Sequence, residues 1–280
     1  MIKLITGLIT LLVMSPFFVS AQNKNQLIAL EVQGDTLANR QDYNGALGFY
    51  NSVIDQTKFT SPRDYDVMYK RAVAFFQLKE YDKALQDLDV FIEETGDEQG
   101  FILKAYVYQD MKAWTEVIAQ LDTLDQWYPD NTELIQWRIQ VLMDAGMNAE
   151  AKEVIQKALA SEPNRQIKLY LGLVHYYLAE YKEAFATFDA LIKEDSTQLE
   201  PYLYASSLCL EDEYYDFAIK YLDAGLTQHP ANPSLAFYKG IALYELKQEE
   251  EGCRYLRKAF YAGVDDAADY LTEYCFGTED

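Results

Sequence analysis

The chain has 280 residues, 50% of them hydrophobic and 25% charged, enough apolar material for a sizeable buried core and an argument against global disorder. Acidic residues outnumber basic ones 45 to 24, a net charge of −21, which weighs against nucleic acid or an anionic membrane surface as the main partner. High solubility is the plainest consequence of that charge.

The first segment, MIKLITGLITLLVMSPFFVSAQ, has a basic start at Lys3, an apolar run, a proline and a small-residue cleavage pattern at Val19-Ser20-Ala21. It reads as a secretory signal peptide, residues 1–21, with the mature chain starting at Gln22. An uncleaved anchor is the alternative, although the apolar run is short beside the about 20 residues of a bilayer span. No cysteine stands at the cut, so a lipid-modified N-terminus is not supported, and no later segment is long and apolar enough to insert. The expected location is outside the cytoplasm, periplasmic or secreted, with no membrane insertion after signal cleavage.

The rest of the chain repeats. In EYDKALQDLDVFI (80–92), Tyr81, Ala84, Leu88 and Phe91 fall on one helical face. The same pattern recurs in six further segments, with the first aromatic slot at 43, 81, 114, 148, 181, 215 and 249, in steps of 38, 33, 34, 33, 34 and 34. A second amphipathic helix precedes each, and Gly34, Ala72, Ala105, Gly172, Ser206 and Gly240 stand nine residues before the aromatic slot, where a small residue lets two helices approach closely. Pro129, Pro163 and Pro230 end second helices, and Asp130 with Asn131 start the next, since proline cannot continue a helix while Asn or Asp can cap one.

This period, the two helices per repeat and the alanine and proline placement resemble the tetratricopeptide repeat (TPR) family, in a secreted or periplasmic bacterial setting; LYLGLVHYYLAEYKEAFATFDALIKED (169–195) is the best single match. The resemblance covers about residues 27–264 and implies an all-α, right-handed solenoid of about seven helix-turn-helix repeats (27–60, 65–97, 98–131, 132–164, 165–198, 199–232 and 233–264) within 22–280, closed by a capping helix at 265–276. There are departures. Ile139 occupies a small-residue slot, which predicts looser or shifted packing. Asn148 and Glu249 replace the aromatic, and Val117 and Gly252 the alanine. His175 stands where a large core side chain is expected, and QTKFTSPRD lengthens one turn.

Cys253 and Cys275 lie ten residues before and twelve after Gly263, so the turn there brings them roughly level in an antiparallel hairpin. They form either a disulfide stapling the cap or two small buried apolar side chains. Cys209 is expected in the core.

Catalytic constellations are missing. The two histidines, His175 and His229, are in different repeats, and there is no Cys-x-x-Cys, phosphate loop or nucleophile elbow. The chain is therefore read as a non-enzyme with no cofactor and no metal. Relatives hold extended or helical peptides on the concave surface lined by the first helix of each repeat. By register, the ligand-binding groove is Tyr69, Phe76, Tyr106, Gln140, Trp137, Tyr176, Tyr177, Tyr204, Tyr238 and Tyr244, aromatic with acids at the rim. The Lys, Asn and Arg clamp that some relatives use on a carboxyl terminus is missing, Lys70 being the one basic residue placed nearby. The expected partner is a protein or peptide, neutral to basic and partly apolar. A glycan stacked on the same tyrosines is the alternative.

Overall fold

The computed structural model describes residues 16–275, with side chains described from residue 24. The expected leader lies outside the described residues up to residue 15, and its last part, Pro16 to Ala21, stands in the first helix. Every regular element among the described residues is helical. These are α1 (Pro16–Asn39), α2 (Tyr43–Gln56), a 3₁₀ turn (Pro62–Tyr65), α3 (Asp66–Gln77), α4 (Tyr81–Thr95), α5 (Glu98–Asp110), α6 (Trp114–Trp127), α7 (Thr132–Asp144), α8 (Asn148–Ser161), α9 (Arg165–Tyr177), α10 (Tyr181–Glu194), α11 (Glu200–Glu211), α12 (Tyr215–Gln228), α13 (Pro233–Glu245), α14 (Glu249–Tyr261) and α15 (Asp266–Tyr270), followed by a π-helical turn (Leu271–Cys275). The helices fall into two compact units divided between Leu134 and Ile135. Consecutive helices pack as antiparallel neighbours in each unit: α1 on α2, α3 on α4 and α5 on α6 in the first, α9 on α10, α11 on α12 and α13 on α14 in the second.

The repeat pattern in the sequence becomes the core. Ala46, Ala84, Val117, Ala151, Ala184 and Ala218 are completely buried, and four residues on in each second helix so are Leu88, Leu121, Ile155, Phe188 and Leu222, with Tyr50 nearly so. Each large side chain removed from water contributes on the order of 2 kcal/mol. The facing slot on the first helix compensates for volume. A methyl group on Gly34 would lie 2.6 Å from the Tyr50 ring, and one on Gly172 would lie 2.6 Å from the Phe188 ring. Where the opposing residue is Leu88 or Leu121, alanine fits, at Ala72 and Ala105. Ile139 is fully buried in its slot.

The turn inside each helix pair is the same each time. Gln41, Lys79, Lys112, Gly146, Ala179, Glu213 and Lys247 all have left-handed backbone, with φ between 57° and 72°. Around Lys79 the bond from the Glu80 amide to the Phe75 carbonyl closes the helix end, and the equivalent bond joins Glu180 to His175 and Gln248 to Leu243. Between pairs, Asn131, Asn164 and Asn232 cap α7, α9 and α13 by accepting amide hydrogens from Leu134, Ile167 and Leu235 at 2.9–3.0 Å. Asn131 alone does the capping at the first of these seams, because Asp130 takes the left-handed turn position at φ 61° instead. The longer turn after α2 is organised by Asp64, whose carboxylate accepts from the Thr60 and Ser61 amides at 2.9 and 2.8 Å. These bonds hold its carboxyl below the ordinary value.

Charged side chains pair across neighbouring helices. In the first unit Arg71 of α3 forks onto Asp87 of α4 with two 2.7 Å bonds and reaches Asn51 of α2 with a third. His175 in the second unit hydrogen-bonds Glu180 at 2.5 Å, and Glu180 also accepts from Lys152 at 2.6 Å.

At the C-terminal end, Leu271 and Ala267 pack on Phe237, Leu256 and Ala259. Cys253 and Cys275 are joined in a disulfide, with Cα atoms 5.8 Å apart. Of the two arrangements open from the sequence, the structure has the bonded one. Cys209 is buried and unbonded.

Candidate functional site

In the first unit the residues assigned to the groove divide. Tyr69 is half-buried against the Phe91 ring, with centroids 5.3 Å apart, and Phe76 is half-buried, 6.4 Å from Tyr81. Both are partly consumed by packing on α4. Tyr106 is exposed. Lys70, the one cation placed near this surface, bonds Glu31 at 2.6 Å and Asp35 at 2.7 Å on α1. Burial lowers its affinity for a proton, but these two carboxylates outweigh that and hold it above its ordinary value.

In the second unit the first helices gather a polar-tipped aromatic surface. The Gln140 amide on α7 donates to the Tyr170 hydroxyl on α9 at 2.5 Å. The Tyr204 hydroxyl on α11 feels Tyr170, Glu200 and Tyr177, and burial followed by these neighbours raises its pKa, so it remains a neutral donor. Tyr177 is 52% exposed and Tyr204 36% exposed, so both present ring area to solvent. Trp137 and Tyr238 are half-buried.

Two assigned residues do not fit an open groove. Tyr176 is only 7% exposed, because its ring is wedged edge-on against Tyr177 and Tyr181, at 5.7 and 5.4 Å, and its hydroxyl is drawn inward to Leu208 and Asp212. Tyr244 lies against Tyr274 of the π-helical turn, with centroids 4.7 Å apart, so the C-terminal cap covers it. Consecutive residues 176 and 177 point about 100° apart around a helix, and that rotation decides which is buried and which is exposed.

A family model for the tetratricopeptide repeat matches residues 31–98 and 138–198. The chain belongs to the tetratricopeptide-repeat family. Solved structures agree at the level of the fold. A tetratricopeptide repeat protein from Parabacteroides merdae superposes with a TM-score of 0.62 at 14% identity, over 90% of this chain and 97% of that one. The C-terminal part of a TPR repeat-containing protein from Cytophaga hutchinsonii gives 0.57 at 16% identity, over 85% and 98%. Among curated proteins, human protein O-mannosyl-transferase TMTC1 is 27% identical over 133 residues, which are 46% of this chain and 15% of that protein. The match thus spans a small part of the transferase's length.

Tetratricopeptide repeats imply a protein–protein interaction scaffold. In this TPR protein the register does not name Tyr170, which is buried beneath this surface and anchors Gln140. The signal was present: Tyr170, Tyr204 and Tyr238 recur at 34-residue intervals and share one repeat position. Leu169 is buried at 4% exposure. Among the described residues, no cluster of three or more His, Cys, Asp or Glu side chains could hold a metal ion. No described helix is long and apolar enough to cross a membrane.

Proposed function

We propose that this TPR protein is a non-catalytic scaffold that holds a neutral to basic, partly apolar segment of another protein. The segment lies against Gln140, Tyr177 and Tyr204 of the second unit, and the protein works outside the cytoplasm, in the envelope or secreted. The observation that carries this reading is the exposed ring area of Tyr177 on α9 and Tyr204 on α11, beside Gln140 of α7, which is held by its bond to the buried Tyr170 hydroxyl. Aromatic rings with polar tips bury area and satisfy hydrogen bonds together, the combination found at binding hot spots. Surrounding acids, among them Glu200 and Glu211, suit a partner that is not acidic. The basic start and the small-residue pattern before Gln22 support export.

The test is site-specific photocrosslinking in cells that make the full chain. A photoreactive residue replacing Tyr177 or Tyr204 should yield a protein adduct. One replacing Tyr261, which is 83% exposed at the end of α14, should not. Adducts that are equal at all three positions, or missing from the first two, would overturn the reading. Retention of the purified chain on a polysaccharide column, lost in Tyr177→Ala/Tyr204→Ala with no adduct formed, would replace the protein ligand by a glycan.

A further inference from the structure

The second helices of the C-terminal unit carry aromatic residues at the edge of the core, where Phe185 and Tyr221 pack inward and Tyr181, Tyr214 and Phe217 are left exposed. Tyr181 and Phe185 on α10, with Tyr214, Phe217 and Tyr221 at and on α12, wall a pocket of about 440 Å³. Phe185 and Tyr221 stack at 6.1 Å and 22°, which fixes the back wall. Tyr181, Tyr214 and Phe217 are each about half exposed, so the mouth is open. Such exposed aromatic area is costly in water unless something covers it.

The polar groups in the pocket share one sign. Asp189 and Asp212 line it, and no lysine, arginine or histidine does. The Tyr221 hydroxyl donates to Asp189 at 2.9 Å, which occupies one of the roughly four acceptor positions of that carboxylate. The floor is Cys209, whose thiol is pushed up to about 12 by burial and then by Asp212, so it adds no competing reactive anion. Aromatic faces carry negative potential, and here they surround two carboxylates in a chain of net charge −21. A ring of this wall already attracts a cation from outside the lining: the Lys220 ammonium lies 4.5 Å from the Phe217 centroid.

We propose that this pocket receives a basic side chain of a protein partner, an arginine in preference to a lysine, at a site separate from the tyrosine surface. A guanidinium is planar and weakly hydrated, so it can stack between Tyr181 and Phe217 while its fork reaches a carboxylate. An aliphatic side chain would fill the same volume but leave Asp189 and Asp212, each bonded to one tyrosine hydroxyl, desolvated without a counter-charge. A carboxylate or phosphate would meet both acids at close range.

The experiment titrates the isotopically labelled full chain with N-acetyl-arginine N-methylamide and follows the aromatic resonances. The neutral isostere N-acetyl-citrulline N-methylamide and N-acetyl-leucine N-methylamide are run beside it. Shifts from the arginine probe should be confined to Tyr181, Phe217 and Tyr221. The citrulline probe should bind about threefold to tenfold more weakly, the range of a cation–π contact reinforced by a carboxylate. Added salt should weaken the arginine probe and leave the leucine probe unaffected. Phe217→Leu and Asp189→Asn, both at exposed positions with the fold checked by circular dichroism, should each weaken the arginine probe about threefold. Tyr204→Ala should not change it, which keeps this result independent of the proposed scaffold surface. Equal binding of citrulline or leucine, or arginine shifts that fall outside the pocket, would overturn the proposal.

Discussion

Adding the same methyl group at two helical glycines should change stability in opposite directions. Gly252 on α14 stands where other repeats carry alanine, and the reason is the backbone of α13. A methyl group on Gly252 would lie 2.9 Å from the Gly240 carbonyl oxygen, 2.9 Å from the Tyr244 nitrogen and 3.2 Å from the Tyr244 Cα. Gly240 returns the contact, since its own methyl group would meet the Leu256 nitrogen at 2.9 Å. These neighbours are main chain, so no rotamer change can make room, and the two helices must separate. Overpacking of this kind costs about 1–3 kcal/mol, and a contact with rigid backbone belongs near the top of that range. Alanine returns about 1 kcal/mol in helix propensity, leaving Gly252→Ala about 2 kcal/mol less stable. Gly48 on α2 is exposed and a methyl group there meets nothing within 4 Å, so Gly48→Ala keeps only the propensity gain. At roughly 2–4 °C per kcal/mol, Tm should fall by about 6 °C in the first variant and rise by about 3 °C in the second. Because repeat arrays open locally, amide exchange should also accelerate in α13 and α14 for Gly252→Ala and remain unchanged in the other unit. If Gly252→Ala is as stabilising as Gly48→Ala, the claim that backbone proximity requires this glycine is wrong.

Three further outcomes follow from the same structure. Arg71→Met leaves Asp87 buried without its forked partner and should lower stability by about 3 kcal/mol in urea titration, whereas Arg71→Lys, which keeps the charge but loses the fork, should cost less. Reduction of Cys253–Cys275, which closes 22 residues of chain separation, should remove about 3 kcal/mol from the cap and speed amide exchange at Leu271 without reaching the first unit. Asp195, between α10 and α11, is held at about 2 rather than 3.8 by the Thr197 hydroxyl, the Thr197 amide and the Gln198 side chain. A depressed carboxylate stabilises fully above its unfolded value and loses that contribution as protons bind the native form. The acid limb of the stability profile between about pH 4 and pH 2 should therefore be shallower in Asp195→Asn, measured by thermal melts across that range.

The helices and their pairing were legible because one periodicity specified most of what is local: the alanine and large apolar slots, the small residue nine positions earlier, and the Asn after three of the seams. The internal turns were legible in position but not in chemistry. Gln41, Lys79, Lys112, Ala179, Glu213 and Lys247 adopt left-handed backbone that glycine favours, and only Gly146 announces it. The repeated closing bond outweighs a cost of about 1 kcal/mol at each of the others. Gly252 was legible as a departure from the alanine pattern, but its cause is a helix approach measurable only in three dimensions.

The candidate site was less legible, because tyrosine serves both the core and the surface of this chain. Tyr50 and Tyr202 are core residues at 2% exposure, with hydroxyls satisfied by Asp35 and by the Ser196 carbonyl. Tyr244 was assigned to the groove from its own helix, yet it is covered by Tyr274 from beyond the last repeat, a partner that no register predicts. Tyr176 was assigned to the same groove, and instead it bridges two surfaces, touching Tyr177 on one side and Tyr181 on the other. That contact is physical continuity between the tyrosine patch on the first helices and the aromatic pocket on the second. A partner segment rounding the α9–α10 turn could therefore rest on Tyr177 and place a basic side chain beside Tyr181. On that geometry, spacing within the ligand should matter as much as composition. A peptide that places arginine too far from its apolar contact should bind no better than either half alone.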